Sequence, residues 1–368
     1  METVAPNLRE VKEGDAMKAA DPDFSRLRTV LLRQGEPDRI PLYELFADQE
    51  IMEAVLGKSL PDSPEGYWKG VIQFYYQLGY DYVPVPVQIG LAHDNVLFGQ
   101  DTAELARPKR QWQDEHHGVI ETHESFQRYP WPDPDQIDIS AIELVVQNLP
   151  HGMKVIGQTS GVLENVMWLM GYEPLSYALY DAPRLVSDMF ERVGTLLVAA
   201  HRKMAEVKGV GALCLGDDMG FKTSTMIAPE LLRQYVFPWQ KKIVEVAHDH
   251  NLPLILHSCG NLNAIMDDLI DLVGIDAKHS YEDAILPITE AKRRWGDRIA
   301  VLGGVDVDLL TKGSEEQVRA RVREIVRVCA PGGGFALGTG NSVANYIPVK
   351  NYLAMLDEGR KVTCEQNS

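Results

Sequence analysis

Eight short apolar runs, separated by stretches of helical periodicity, constrain the fold of this chain more than any other feature of its sequence. They are IPLYEL (40–45), DYVPVPV (81–87), MKVIGQ (153–158), ALCLG (212–216), PLILH (253–257), IDAKH (275–279), IAVLG (299–303) and FALG (335–338). Between them lie segments such as PRLVSDMFERVGTLLVAAHRKMAEVKG and APELLRQYVFPWQKKIVEVAHDHN, with apolar residues at helical spacing. Strand–helix alternation builds a parallel sheet covered by helices, and strands that are apolar throughout fit burial on both faces. Eight such units in 368 residues predict an α/β fold, a (β/α)8 TIM barrel. A doubly wound open sheet is the alternative, but no glycine-rich phosphate loop follows the first strand.

Residues 1–25 read as an N-terminal arm and 26–368 as one barrel domain. The connection 88–150, between the second and third strands, breaks the rhythm. It contains RQWQDEHHGVIETHESFQRYPWPDPD, which reads as a short β-hairpin followed by a proline-rich turn, and it is expected at the barrel mouth. His116, His117 and His123 within it fit a solvated charged face better than a metal site.

Charge and cysteine content narrow the function. A net charge of −17 argues against nucleic acid and against an anionic membrane surface. No run of about 18 apolar residues is present, so no membrane span is expected. The polar, acidic N-terminal stretch lacks the apolar segment of a signal peptide. Four scattered cysteines, Cys214, Cys259, Cys329 and Cys364, do not make a disulfide framework, and a cytoplasmic location is expected.

In such barrels the chemistry sits at the C-terminal ends of the strands. The polar residues that end the runs are Glu44, Gln88, Gln158 with Thr159, Asp217 with Asp218, His257 with Cys259, His279, Asp306, and Thr339 with Asn341. His257 and Cys259 are two apart and share a face if the strand persists through them. They are half of a tetrahedral zinc site, a base and nucleophile, or two buried side chains. Asp217 and Asp218 are candidate acid/base groups or ligands, and a helix N-cap is the competing role. Only one of the two can look fully into a cavity, because neighbours in a strand face opposite ways. Glu44 and His279 are further catalytic candidates, and Gln158, Asp306 and Asn341 are candidates for holding substrate.

The stretches GDDMGFKTSTMIAPELLRQYVFPWQKKIVEVAHDH, ILHSCGNLNAIMDDLIDLVGIDAKH, RWGDRIAVLGGVDVDLL, APGGGFALGTGNS and IPVKNY resemble the uroporphyrinogen decarboxylase superfamily, as do GEPDRIPLYE and WQDEHHGVIETHESFQRYPWPDP. The resemblance implies a (β/α)8 barrel with one of two activities: decarboxylation of uroporphyrinogen, or zinc-dependent methyl transfer involving a corrinoid protein. The decarboxylases carry an arginine-rich loop after the first strand that binds the propionates of their tetrapyrrole. The corresponding IPLYELFADQEIMEAVLGK holds no arginine, which places the chain nearer the methyltransferase branch. That branch ligates zinc with His-x-Cys at the fifth strand and a cysteine after the eighth. His257 and Cys259 match the first two ligands, but the third position falls near Asn341, so Asp217, Asp218, Glu44 or His279 would have to complete the set.

The resulting expectation is a methyltransferase moving a methyl group between a small O-methyl or N-methyl compound and a corrinoid carried on a separate, transiently docked protein. The alternatives are a decarboxylase or lyase acting on a small acid or tetrapyrrole, and a non-catalytic barrel that binds a corrinoid or small ligand. A homodimer is compatible with the sequence, which does not determine the oligomeric state.

Overall fold

The computed structural model describes residues 21–366 apart from 93–95, 100, 102, 104, 108, 109 and 115. Most of the N-terminal arm lies outside the described residues. A helix begins at Phe24, capped by the Asp23 side chain on the Ser25 amide.

Seven of the predicted runs form one parallel sheet. In chain order, and including a separate hairpin, the strands are β1 (Tyr82–Pro86), β2 (Val96–Gly99), β3 (Arg110–Gln113), β4 (Lys154–Ser160), β5 (Val210–Gly216), β6 (Leu254–His257), β7 (Ala277–His279), β8 (Ala300–Val305) and β9 (Phe335–Thr339). The sheet order is β1-β4-β5-β6-β7-β8-β9. Helices such as Pro183–Glu206, Phe237–Asp249 and Glu315–Cys329 connect the strands and bury their apolar stripes against the sheet. The sheet residues of β5, β6 and β8 are buried almost without interruption, the signature of a sheet covered on both faces.

The run expected as the first of eight strands contributes only a single bridge, Leu42 to Leu337, and just beyond it Ala47 bridges Val343. The cause lies across the gap, in β1. The Asp81 carbonyl and the Val87 amide, on either side of β1, bond to β4, so the alternate residues Tyr82, Pro84 and Pro86 face the free edge. Two of those three are prolines and offer no N–H, and proline is tolerated only at such an edge. The Tyr82 hydroxyl reaches across instead, donating to the Glu44 carbonyl at 2.5 Å and lying 2.7 Å from the Glu44 amide. The same short segment thus touches β9 on one side and β1 on the other, and the sheet is curled round on itself.

β2 and β3 form an antiparallel pair in the connection that leaves the C-terminal end of β1. His116, His117 and His123 are exposed, against Glu173 at 2.8 Å, Asp114 at 3.1 Å and Asp188 at 3.6 Å respectively. Among the described residues no helix is long and apolar enough to cross a membrane.

Candidate functional site

Register brings the central groups together. Gly216, His257 and His279 are Cα partners across β5, β6 and β7, so the C-terminal ends of these strands are level. Beyond β6 the chain turns at Gly260, whose φ is +82° and whose Cβ position would lie 2.0 Å from the Gly220 carbonyl oxygen. The loops after β5 and β6 therefore touch backbone to backbone. In that arrangement the Cys259 amide donates to Asp218 Oδ1 at 2.7 Å. Gly260→Ala is expected to cost at least about 2 kcal/mol, from left-handed strain plus the clash. Urea unfolding measures that cost, and a variant as stable as wild type would refute the close approach.

Three donor atoms converge there. His257 Nε2 lies 3.5 Å from Cys259 Sγ and 3.7 Å from Asp218 Oδ1, and the three ligand atoms all fall within 4.8 Å of one another. Donors on one tetrahedral zinc stand about 3.3–3.7 Å apart, given bond lengths of about 2.0–2.3 Å. The N, S and O set suits a zinc ion by chemistry, and the two distances from His257 Nε2 match that spacing.

The supporting contacts fix the tautomers that such a role needs. His257 Nδ1 and His279 Nδ1 are 2.8 Å apart, and His279 Nε2 lies 3.1 Å from the Thr339 carbonyl oxygen. That carbonyl can only accept, so His279 carries its proton on Nε2 and its Nδ1 accepts from His257 Nδ1–H. The lone pair of His257 then sits on Nε2, pointing at Cys259 and Asp218. Both rings are held neutral: burial carries His257 down to about 3, and burial with the neighbouring His257 lowers His279 well below the usual imidazole range. Gly303 (φ +84°) leaves room for the His279 ring, because a Cβ there would stand 2.8 Å from its Cδ2. Asn341 Nδ2 donates to Cys259 Sγ at 3.1 Å. Burial, then Asp218, raise the Cys259 thiol above its ordinary range in the absence of a cation.

The two aspartates divide. Asp217 is fully buried and points away from the site, into the N-terminus of the helix Val162–Met170. It accepts from the amides of Val162, Leu163 and Glu164 at 3.0, 2.9 and 3.2 Å and from Gln240 Nε2 at 2.8 Å. Its carboxylate is consumed as a helix cap, the competing role named from sequence, and burial raises it to about 6. Asp218, next along the chain, faces the other way and joins His257 and Cys259.

Other expected site residues are also held elsewhere. Asp306 caps the helix Val307–Lys312 through Oδ1 and accepts the Asp283 amide on Oδ2, so both oxygens serve the backbone rather than a substrate. Gln158 donates to the Leu45 carbonyl at 2.8 Å. Glu44 is fully buried, with its oxygens 2.9 Å from the Thr339 amide and 2.5 Å from the Thr339 hydroxyl.

Burial raises Glu44 to about 8, so the folded chain holds its proton where the unfolded chain, near 4.5, has lost it. Stability from this group is therefore present below about 4.5 and is lost as pH rises towards 8. Relative to Glu44→Gln, whose amide mimics the protonated acid, wild type is expected to lose a few kcal/mol over that range. Parallel pH dependences of the two unfolding free energies would rule this out.

Two side chains near the site escaped the sequence reading. Lys278 is 3 % exposed, and burial lowers its amine to about 8. Glu164, in the first turn of the helix capped by Asp217, is pushed well up by burial and then by Asp218 and Asp217. The lysine did carry a signal, a cationic side chain one residue before the polar end of a run read as a strand. The glutamate carried none, because its place depends on how its helix meets β5.

A curled parallel sheet with a His/Cys/Asp cluster at its strand ends defines a barrel-like α/β protein of the kind that places enzyme chemistry on its C-terminal face. The family model for uroporphyrinogen decarboxylase (URO-D) matches residues 27–362, and the chain belongs to that family. A methylcobamide:CoM methyltransferase from Methanosarcina barkeri is 23% identical over 222 residues, 59% of this chain and 61% of that one. A uroporphyrinogen decarboxylase from Coxiella burnetii is 26% identical over 231 residues, 59% of this chain and 60% of that one. The matched regions thus span about three fifths of these curated relatives. A solved methyltransferase from Methanosarcina mazei shares the fold, with a TM-score of 0.68 at 18% identity over 92% of this chain and 98% of its own.

Proposed function

We propose that this enzyme transfers a methyl group between a small methylated compound and a corrinoid carried on a separate protein, with zinc held by Asp218, His257 and Cys259. The observation that carries the reading is the N/S/O donor set, its atoms within 4.8 Å of one another. Zinc bound there supplies Lewis acidity to a substrate heteroatom. The chain's own residues do the rest. His279 orients the His257 lone pair, Asn341 donates to the Cys259 sulfur, and Asp218 adds negative charge. A ligand set with one thiolate and one carboxylate suits polarising an ether or amine better than activating a thiol, so an O-methyl or N-methyl donor is the favoured substrate.

Charge argues against the tetrapyrrole reading. The segment after the first run carries Asp48 and Glu50, and the guanidinium that reaches it, Arg107, is paired to both at 2.5 and 2.8 Å. Little positive charge remains there for propionates. Metal analysis of protein prepared without chelator, followed by mixing with a reduced corrinoid and a panel of methyl ethers and methylamines, tests the proposal. About one zinc per chain and a corrinoid absorbance change with at least one donor are expected. Release of carbon dioxide from a carboxylated substrate, with no methyl transfer across the panel, would replace this reading with decarboxylation.

A further inference from the structure

We propose that Lys278 is a positioning residue that staples the ends of β6 and β7 and so sets where Cys259 stands relative to His257. Lys278 lies between Ala277 and His279, so alternation turns it away from the imidazoles and into the layer between sheet and helices. Its Nζ donates to the carbonyl oxygen of Ser258 at 3.1 Å and to that of Ser280, and it sits 4.4 Å above the ring of Tyr281. Among the described residues no carboxylate pairs with it. Lysine is almost never buried without a partner, so this ammonium stands where an apolar residue would ordinarily be found.

Its two acceptors explain the placement. Ser258 follows His257 and precedes Cys259, and Ser280 follows His279. The Ser258 amide bonds to the His279 carbonyl at 2.9 Å, and the regular pairing of β6 with β7 reaches only to His257 and His279. Beyond that point the Ser258 amide is the last backbone bond between the two strands. The ammonium replaces the missing ladder with two bonds from one atom. Without it, two carbonyls in a buried region lose their donor, and the turn carrying Cys259 is left with the Ser258 amide bond as its tie to β7.

The inference deepens the zinc reading and borrows it for one of two measurements. The full-length chain is compared with Lys278→Met and Lys278→Leu, which keep bulk and remove the donor, and with Lys278→Gln, which keeps a neutral donor. Folding of each variant is checked by circular dichroism. With cobalt(II) as the probe, the apolar variants are expected to bind about 10–100-fold more weakly, the range typical for loss of an outer-shell partner, with an altered sulfur-to-cobalt absorption band. Lys278→Gln is expected to recover part of both. In metal-free protein, amide exchange at Ser258 and Cys259 should quicken in the apolar variants and less so in Lys278→Gln. Wild-type cobalt affinity together with wild-type exchange in a folded apolar variant would overturn the assignment, whatever its melting temperature. If wild type itself binds no cobalt, the zinc reading falls separately. Exchange then decides for Lys278, and unchanged protection at Ser258 and Cys259 overturns it.

Discussion

Replacing Cys259 by alanine is expected to abolish zinc binding while leaving the fold standing. The thiolate is the one sulfur donor of the set, and without it only His257 Nε2 and Asp218 remain within reach of the ion. Loss of an outer-shell partner costs about 10–100-fold in metal affinity, so loss of a direct ligand should exceed the upper end of that range. The structural cost is far smaller. Cys259 is only partly buried, and removing a thiol of that kind costs about 1–2 kcal/mol. Zinc titration against a chromophoric chelator, with urea unfolding of the same samples, separates the two. A variant that unfolds outright, beside a wild type that holds no metal, would mean that His257 and Cys259 serve packing alone.

The second large effect concerns the adjacent aspartates, which should fail in opposite ways. Asp217→Ala orphans three backbone amides at a buried helix N-terminus together with the Gln240 amide. Each unsatisfied buried donor costs about 1–3 kcal/mol, and some relief by entering water leaves an expected loss of about 3–5 kcal/mol. For a chain of 368 residues that lowers the melting temperature by roughly 4–6 °C. Asp218→Ala removes a carboxylate that accepts from the Cys259 amide, and should cost about 1 kcal/mol while zinc affinity falls by more than about 100-fold. Thermal melts and zinc titrations on both variants decide the matter. A stable Asp217→Ala that loses zinc, beside a destabilised Asp218→Ala that keeps it, would exchange the roles.

How far the sequence could be read followed the range of the interactions involved. The seven runs that became strands, β1 and β4 to β9, were visible because an apolar stretch of that length, flanked by helical periodicity, has few other ways to be buried. The run at 40–45 carried the same local signal and still made only a single bridge, because the donors it needed were missing from β1, in Pro84 and Pro86. The cap of Asp306 was half legible, since an aspartate before a short helix is a common N-cap. The employment of Asp217 was not, because the helix it caps lies more than fifty residues earlier in the chain.

By itself the sequence determined the elements and the chemistry on offer: a parallel α/β architecture, family membership, the pairing of His257 with Cys259 at one strand end, and the absence of arginine from 40–58. Periodicity, composition and local spacing carry these, and they do not depend on what the chain meets later. Only the tertiary structure decided which carboxylate joins the site, which imidazole nitrogen carries the proton, and that a buried Lys278 ties β6 to β7. Those are matters of angle and distance between segments that are remote in sequence. A strand alternates faces every residue, so a single step separates Asp217, spent on a helix, from Asp218, which stands beside His257 and Cys259. Which of the two faces the cavity is set by how β5 lies against its neighbours, and no local pattern records that.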